Sequence, residues 1–91
     1  DDVPGTVACQ ALAAAVRDAT LMEPGVVDAI AAAAVTADAP IADAGKRLTA
    51  ANAAAAAARG TDREPDAVAA VSAVGAEMEE VCQESGLETV G

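Results

Sequence analysis

The side chains available for a core constrain this chain more than any motif does. Hydrophobic residues make up 54% of its 91 residues, but alanine supplies more than half of them, and Phe, Tyr and Trp are absent. Alanine has the highest helix propensity, and the alanine runs 31–34 and 53–58 contain no β-branched residue that would favour a strand. The sequence therefore predicts an all-α protein whose helices pack closely through small side chains.

Apolar periodicity, prolines and glycines divide the chain into four predicted helices in a single domain, 1–91. The helices are expected to cover about 5–20, 24–37, 40–59 and 62–85, followed by a tail at 87–91. Pro24 is expected at the first position of the second helix, with Thr6 capping the first helix and Asp38 the third. Thr61 and Glu64 have the spacing of a capping box for the fourth.

Each predicted helix has one apolar stripe that we expect to face the core. The predicted core residues are Cys9, Leu12, Val16 and Ala19; Val27, Ile30, Ala34 and Val35; Ile41, Ala44, Leu48, Ala51, Ala55 and Ala58; and Val68, Val71, Gly75, Met78 and Cys82. Helices of this length with short connections favour a four-helix up-down-up-down bundle, in which the first and last helices are antiparallel neighbours.

The two cysteines lie near opposite ends of the chain, Cys9 in the first predicted helix and Cys82 in the last. In an up-down-up-down bundle both positions fall at the same pole, where a disulfide would join the two helices. Such a bond would place the protein in an oxidising, extracytoplasmic compartment, secreted or in the cell envelope. The alternative is two reduced thiols in the core of a cytosolic protein. Without His or further Cys, the pair does not predict a metal site.

Fifteen acidic and five basic residues give a formal net charge of −10, which argues against nucleic acid or an anionic membrane surface as a partner. No stretch predicts a transmembrane helix. Near the end of the fourth helix, Glu77, Glu80 and Glu84 recur at helical spacing, although the helix dipole favours basic residues there. We interpret this stripe as a candidate surface for a basic protein partner or, weakly, a divalent cation. The alternative is a solvated face near Lys46 and Arg47.

Few residue types in the chain can support catalysis, and we expect no enzymatic activity. No His is present to serve as a base for Ser72 or Ser85, and there is no Gly-rich phosphate loop. Met22 and Met78 are conceivable haem ligands, but we interpret them as core residues and predict no cofactor. An apolar ligand between the helices would contact residues that are equally expected to form a packed core, namely Leu12, Val16, Val27, Ile30, Leu48 and Met78.

The segments ACQALAAAV (8–16) and VCQESGL (81–87), with the Ala-, Asp- and Val-rich sequence between them, resemble small exported two-cysteine helical proteins of high-GC actinobacteria, including mycobacteria. The resemblance implies export and a disulfide between Cys9 and Cys82. Mycobacterial haemophore-like proteins share this layout and bind haem, whereas this chain has neither His nor Tyr to ligate it.

Together these features predict an exported, non-catalytic binding or accessory protein that docks to a partner in the cell envelope. Two alternatives stay open. One is a carrier of a small, lipid-like apolar ligand between the helices, and the other is a purely structural surface domain.

Overall fold

The computed structural model describes residues 4–86, which form four α-helices and no strand. The helices are α1 (Pro4–Arg17), α2 (Val26–Ala34), α3 (Ala39–Ala57) and α4 (Glu64–Glu84). The predicted all-α, four-helix fold is confirmed. The predicted tail at 87–91 and residues 1–3 lie outside the described part of the chain.

Each helix packs against its neighbours in sequence, and α1 also packs against α4, so that the four helices form a closed ring. The contacts between α3 and α4 show that these two helices are antiparallel. Arg47, in the first half of α3, pairs with Glu77, in the second half of α4. Ala58 and Ala67, which both lie close to the α3–α4 connection, line one groove. This arrangement is compatible with the predicted up-down-up-down order.

The first and last helices are joined by a disulfide between Cys9 and Cys82, as predicted. The two sulfur atoms are 2.05 Å apart, the Cα atoms are 6.0 Å apart, and 73 positions separate the residues in sequence. Both side chains are fully buried. Further along the same interface Leu12 lies against Gly75, so α1 and α4 are also antiparallel. The bond therefore closes the ring through two helices that are distant in sequence.

One contiguous cluster of buried apolar residues lies between the four helices. Its largest fully buried side chains are Leu12, Ile30, Ile41, Leu48, Met78, Val27 and Val71, together with the two cysteines. These residues were predicted to form the core, and their burial confirms most of the predicted stripes.

Three predicted core residues, Val16, Ala19 and Val35, are exposed instead. In α1 the buried stripe follows Ala8, Cys9, Leu12 and Ala15. Val16 lies one helical step of about 100° beyond this stripe and is 42% exposed. Ala19 follows the end of α1, and Val35 follows the last residue of α2, where it is 72% exposed.

The start of α2 differs from the prediction because Gly25, not Pro24, determines it. Gly25 is the N-cap of α2 and adopts a left-handed conformation with φ of 84°, which is readily accessible to glycine. Pro24 therefore lies before the helix, and α2 has 9 residues, Val26–Ala34. This is shorter than the predicted 24–37.

The prediction that Thr6 caps α1 was wrong, and Asp38 caps α3 through its backbone only. Because α1 begins at Pro4, Thr6 lies within its first turn and does not precede it. Asp38 is the N-cap of α3 by position, and its backbone carbonyl accepts hydrogen bonds from the N–H groups of Ile41 and Ala42, each at 3.0 Å. Its side chain forms no capping hydrogen bond.

The predicted capping box of α4 is shifted by one position. The Thr61 hydroxyl donates to the Ala58 carbonyl at 2.6 Å and accepts from the Arg63 N–H at 3.2 Å. The Glu64 carboxylate accepts from the N–H of Gly60 at 3.3 Å, and not from that of Thr61. Because α4 begins at Glu64, these bonds hold the turn between α3 and α4.

The end of α1 carries backbone strain at Ala19. The Thr20 N–H donates to the Ala15 carbonyl at 2.9 Å, and the Ala19 N–H donates to the Val16 carbonyl at 3.3 Å. These two bonds form a Schellman motif, whose left-handed position is usually glycine. Here Ala19 occupies that position with φ of 58°, which is unfavourable for a residue with a Cβ atom.

Replacing Ala19 with Gly is expected to raise the free energy of unfolding by about 1 kcal/mol, because it removes this strain. Urea denaturation would measure the change. Ala13→Gly is the matched control: it lies inside α1 and should lower stability by about 1 kcal/mol. Equal destabilisation by both substitutions would contradict the assigned helix end.

Removing the disulfide with the double substitution Cys9→Ala/Cys82→Ala is expected to lower the melting temperature by about 20–30 °C. Closing a loop of this length stabilises the fold by about 4–5 kcal/mol in the chain-entropy model, and each kcal/mol corresponds to several degrees in a domain of this size. Circular dichroism with and without reductant would test this. The double variant should not respond to reductant, and two titratable thiols in the native wild-type protein would contradict the bond.

Candidate functional site

The acidic stripe predicted from sequence, Glu77, Glu80 and Glu84, is exposed on α4, and we call it the acidic face. Glu77 is near Arg47 of α3, with Arg47 Nε and Glu77 Oε1 3.9 Å apart. Both side chains are more than half exposed, so solvent screens this pair and it contributes little to stability. Glu80 and Glu84 form no ion pair with the described residues.

The acidic face lacks a preformed set of metal ligands in the part of the chain that the structure describes. Within residues 4–86, the structure shows no group of three Asp, Glu or Cys side chains arranged to hold a metal ion. Because α3 and α4 are antiparallel and Glu77 lies level with Arg47, Glu80 and Glu84 lie level with the first turns of α3. The geometry therefore fits a solvated anionic surface that can attract cations at long range.

The structure reveals a groove between α2 and α3 that the sequence did not predict, and we call it the α2–α3 groove. Its volume is about 440 Å³. It is lined by Ala31, Ala32, Val35, Ala42, Gly45, Lys46 and Thr49. Apart from Lys46 and Thr49, the lining residues are alanine and valine, which have apolar side chains, and one glycine, which has no side chain.

Val35 is the most exposed large apolar side chain among the described residues, at 72%, and it lies at this groove. It was predicted to be a core residue because it extends the apolar stripe of α2. The helix ends at Ala34, which is buried, and the next residue points about 100° away from it.

The floor of the groove is a close approach of two helices. A Cβ atom built on Gly45 of α3 would lie 3.0 Å from the Cβ of Ala34 and 3.8 Å from the Cα of Ala31. The Thr49 hydroxyl donates to the Gly45 carbonyl at 3.1 Å, so this hydroxyl is engaged within its own helix. Glycine at 45 therefore allows α2 and α3 to approach more closely than alanine would.

A second groove lies at the other end of α3, near its connection to α4. It has a volume of about 490 Å³ and is lined by Ala54, Ala57, Ala58, Arg63, Asp66 and Ala67. Among the described residues, no large apolar side chain lines it. It therefore offers less apolar surface to a partner than the α2–α3 groove.

The residues predicted to line an internal ligand site do not line either groove. Five of the six are fully buried in the core cluster, namely Leu12, Val27, Ile30, Leu48 and Met78, and the sixth, Val16, is exposed. Of the two methionines considered as haem ligands, Met78 is a core residue as expected. Met22 is 37% exposed in the α1–α2 connection, so its interpretation as a core residue was wrong.

None of the four helices in residues 4–86 combines the length and hydropathy needed to cross a membrane.

Gly45→Ala is expected to destabilise the protein by about 1 kcal/mol or more, even though alanine is the better helix former, because two helix backbones must move apart. Gly75→Ala is the matched control. There the new Cβ would meet the flexible tip of Leu21 at 3.2 Å, which can rotate away. Urea denaturation should show that Gly75→Ala is neutral or stabilising. A stabilising Gly45→Ala would contradict the close approach.

Comparisons of the chain with protein-family models, with curated proteins and with solved structures found no match. Its function is therefore inferred from its own residues and their geometry.

Proposed function

We propose that the protein is an exported, non-catalytic binding or accessory module that docks to a partner protein in the cell envelope. The observation that carries the proposal is the exposed side chain of Val35 beside the α2–α3 groove. An exposed apolar side chain at the edge of an apolar groove offers surface that the apolar residues of a partner would cover.

Export is supported by the disulfide. Disulfides of this kind are formed and retained mainly in oxidising compartments, and a buried, structural bond between distant helices suits a small domain outside the cytoplasm. The resemblance to exported two-cysteine proteins of actinobacteria points in the same direction.

A non-catalytic role is supported by the residue types in the grooves. The α2–α3 groove contains one lysine and one threonine, and the threonine hydroxyl already donates to a backbone carbonyl. No nucleophile and base are paired there, as covalent catalysis would require. Apolar contact is the chemistry that this groove offers best.

The acidic face is proposed to assist docking. Glu77, Glu80 and Glu84 are exposed on a molecule of net charge −10, so they would attract a basic partner and accelerate its association. In the free protein Glu77 pairs with Arg47, so Glu80 and Glu84 are the more available carboxylates.

Carriage of a small apolar ligand is the second candidate. Its support is the volume of the α2–α3 groove, about 440 Å³, which is within the range of small-molecule sites. The groove is open to solvent and would enclose a ligand less completely than a carrier usually does. Docking to a protein therefore fits the geometry better.

The test is site-specific photo-crosslinking in the native host, with a photoreactive amino acid in place of Val35. A partner should cross-link in high yield at position 35 and be identifiable by mass spectrometry. Val7 of α1, which is 49% exposed, is the matched control position.

A discrete partner captured at position 35 and not at position 7 would support docking. Equal capture at both positions would contradict the proposed site. If mild purification instead yields a stoichiometric lipid-like molecule in native mass spectra, the carrier function would replace docking. Absence of both would favour a purely structural surface domain.

A further inference from the structure

We propose that the α2–α3 groove binds a basic amphipathic helix of the partner. This inference rests on the proposed docking function and adds the chemistry of the partner segment. It depends on three features of the described surface: the position of the groove between two helices, the exposed valine, and the charges around it.

The position of the groove suits a helical partner. It follows the contact between two helices packed side by side, and a third helix can lie along such a contact with its side chains between theirs. The walls are alanine and glycine, which let an approaching helix come close. Val35 stands at the edge and provides the apolar contact that a leucine or isoleucine of the partner would cover.

The charges around the groove are mainly negative. Asp28 is one turn from Ala31 and Ala32 on the same face of α2, and Asp38 is one turn from Ala42 at the start of α3, so the two aspartates mark opposite ends of the groove. Both carboxylates are exposed. A partner helix lying in the groove would place its flanking residues near them.

Within residues 4–86, Lys46 is the only charged residue that lines the groove itself. Its aliphatic stem can cover apolar surface while its ammonium group stays in water. Asp43, one turn earlier on α3, is also exposed, so Asp28, Asp38 and Asp43 outnumber this single ammonium group. With a net charge of −10 on the whole chain, an acidic helix would be repelled and a basic one attracted.

The spacing of the aspartates defines the partner segment further. From Asp28 to the end of α2 and across the short turn to Asp38 is about 10–15 Å, or two to three turns of helix. The partner helix should therefore carry Lys or Arg residues about two to three turns apart, on either side of an apolar stripe.

The test uses two synthetic amphipathic peptides of about 15 residues, long enough to form a helix on binding. One contains leucine and lysine, and the other has glutamate in place of every lysine. Binding to the full chain is measured by fluorescence anisotropy, and the methyl groups of Val35, Ala31 and Ala42 are followed by NMR. The lysine peptide should bind and shift these methyl signals, and its binding should weaken as salt is added. The glutamate peptide should not bind.

Two substitutions of equal charge separate the groove from general electrostatic attraction. Val35→Asp and Val7→Asp each add one negative charge, which by itself favours the lysine peptide. Val35→Asp should nevertheless weaken binding by about tenfold, the loss expected for one apolar contact, while Val7→Asp should change it less than about twofold. Val35→Ala, which keeps the charge constant, should weaken it by an intermediate factor. Circular dichroism checks that each variant is folded.

Equal binding of the lysine peptide by both aspartate variants would overturn the proposal, as would methyl shifts confined to α4. Dimerisation of the protein alone that Val35→Asp abolishes would assign the groove to a second copy and also overturn it. If a partner cross-links at position 35 through a segment that is not basic, this inference fails and the docking function stands. If nothing cross-links there, the docking function fails as well.

Discussion

The disulfide between Cys9 and Cys82 is the contact on which the rest of this structure depends. Without aromatic residues, the largest fully buried side chains are leucine, isoleucine and methionine, so the core is small for four helices. The bond joins α1 to α4 and closes the ring, and it stabilises the fold by restricting the unfolded chain. A covalent link thus contributes what a larger apolar core would otherwise supply.

Small residues determine how the helices meet, and the same residues shape the surface. Gly45 brings α3 close to Ala34 of α2, and Gly75 leaves room on α4 for Leu21 and Leu12. In a closely packed helix pair, many contacts between small side chains replace a few contacts between large ones. Between α2 and α3 the result is a groove walled by alanine and glycine, beside which Val35 is exposed because it lies one helical step from the buried Ala34.

Much of the fold could be predicted from residue patterns, and less of the candidate site. The helical class, four helices, the disulfide and most core residues followed from composition and periodicity. The acidic face was recognised because Glu77, Glu80 and Glu84 share one side of a helix. The groove was not recognised, because its walls come from two separate helices and its alanines look the same in sequence as buried ones. Val35 was assigned to the core because a single helical step separates it from Ala34.

The sequence by itself determined the helix content, the distribution of charge and the two positions where a disulfide could form, since these depend on local propensity and residue identity. Only the tertiary structure decided which residues at the edge of each stripe are buried. Val16 and Val35 each lie one helical step from a buried residue, Ala15 or Ala34, and the position of the neighbouring helix decides which of the two is buried. The groove exists for the same reason: it is a property of how α2 and α3 pack, which no single segment encodes.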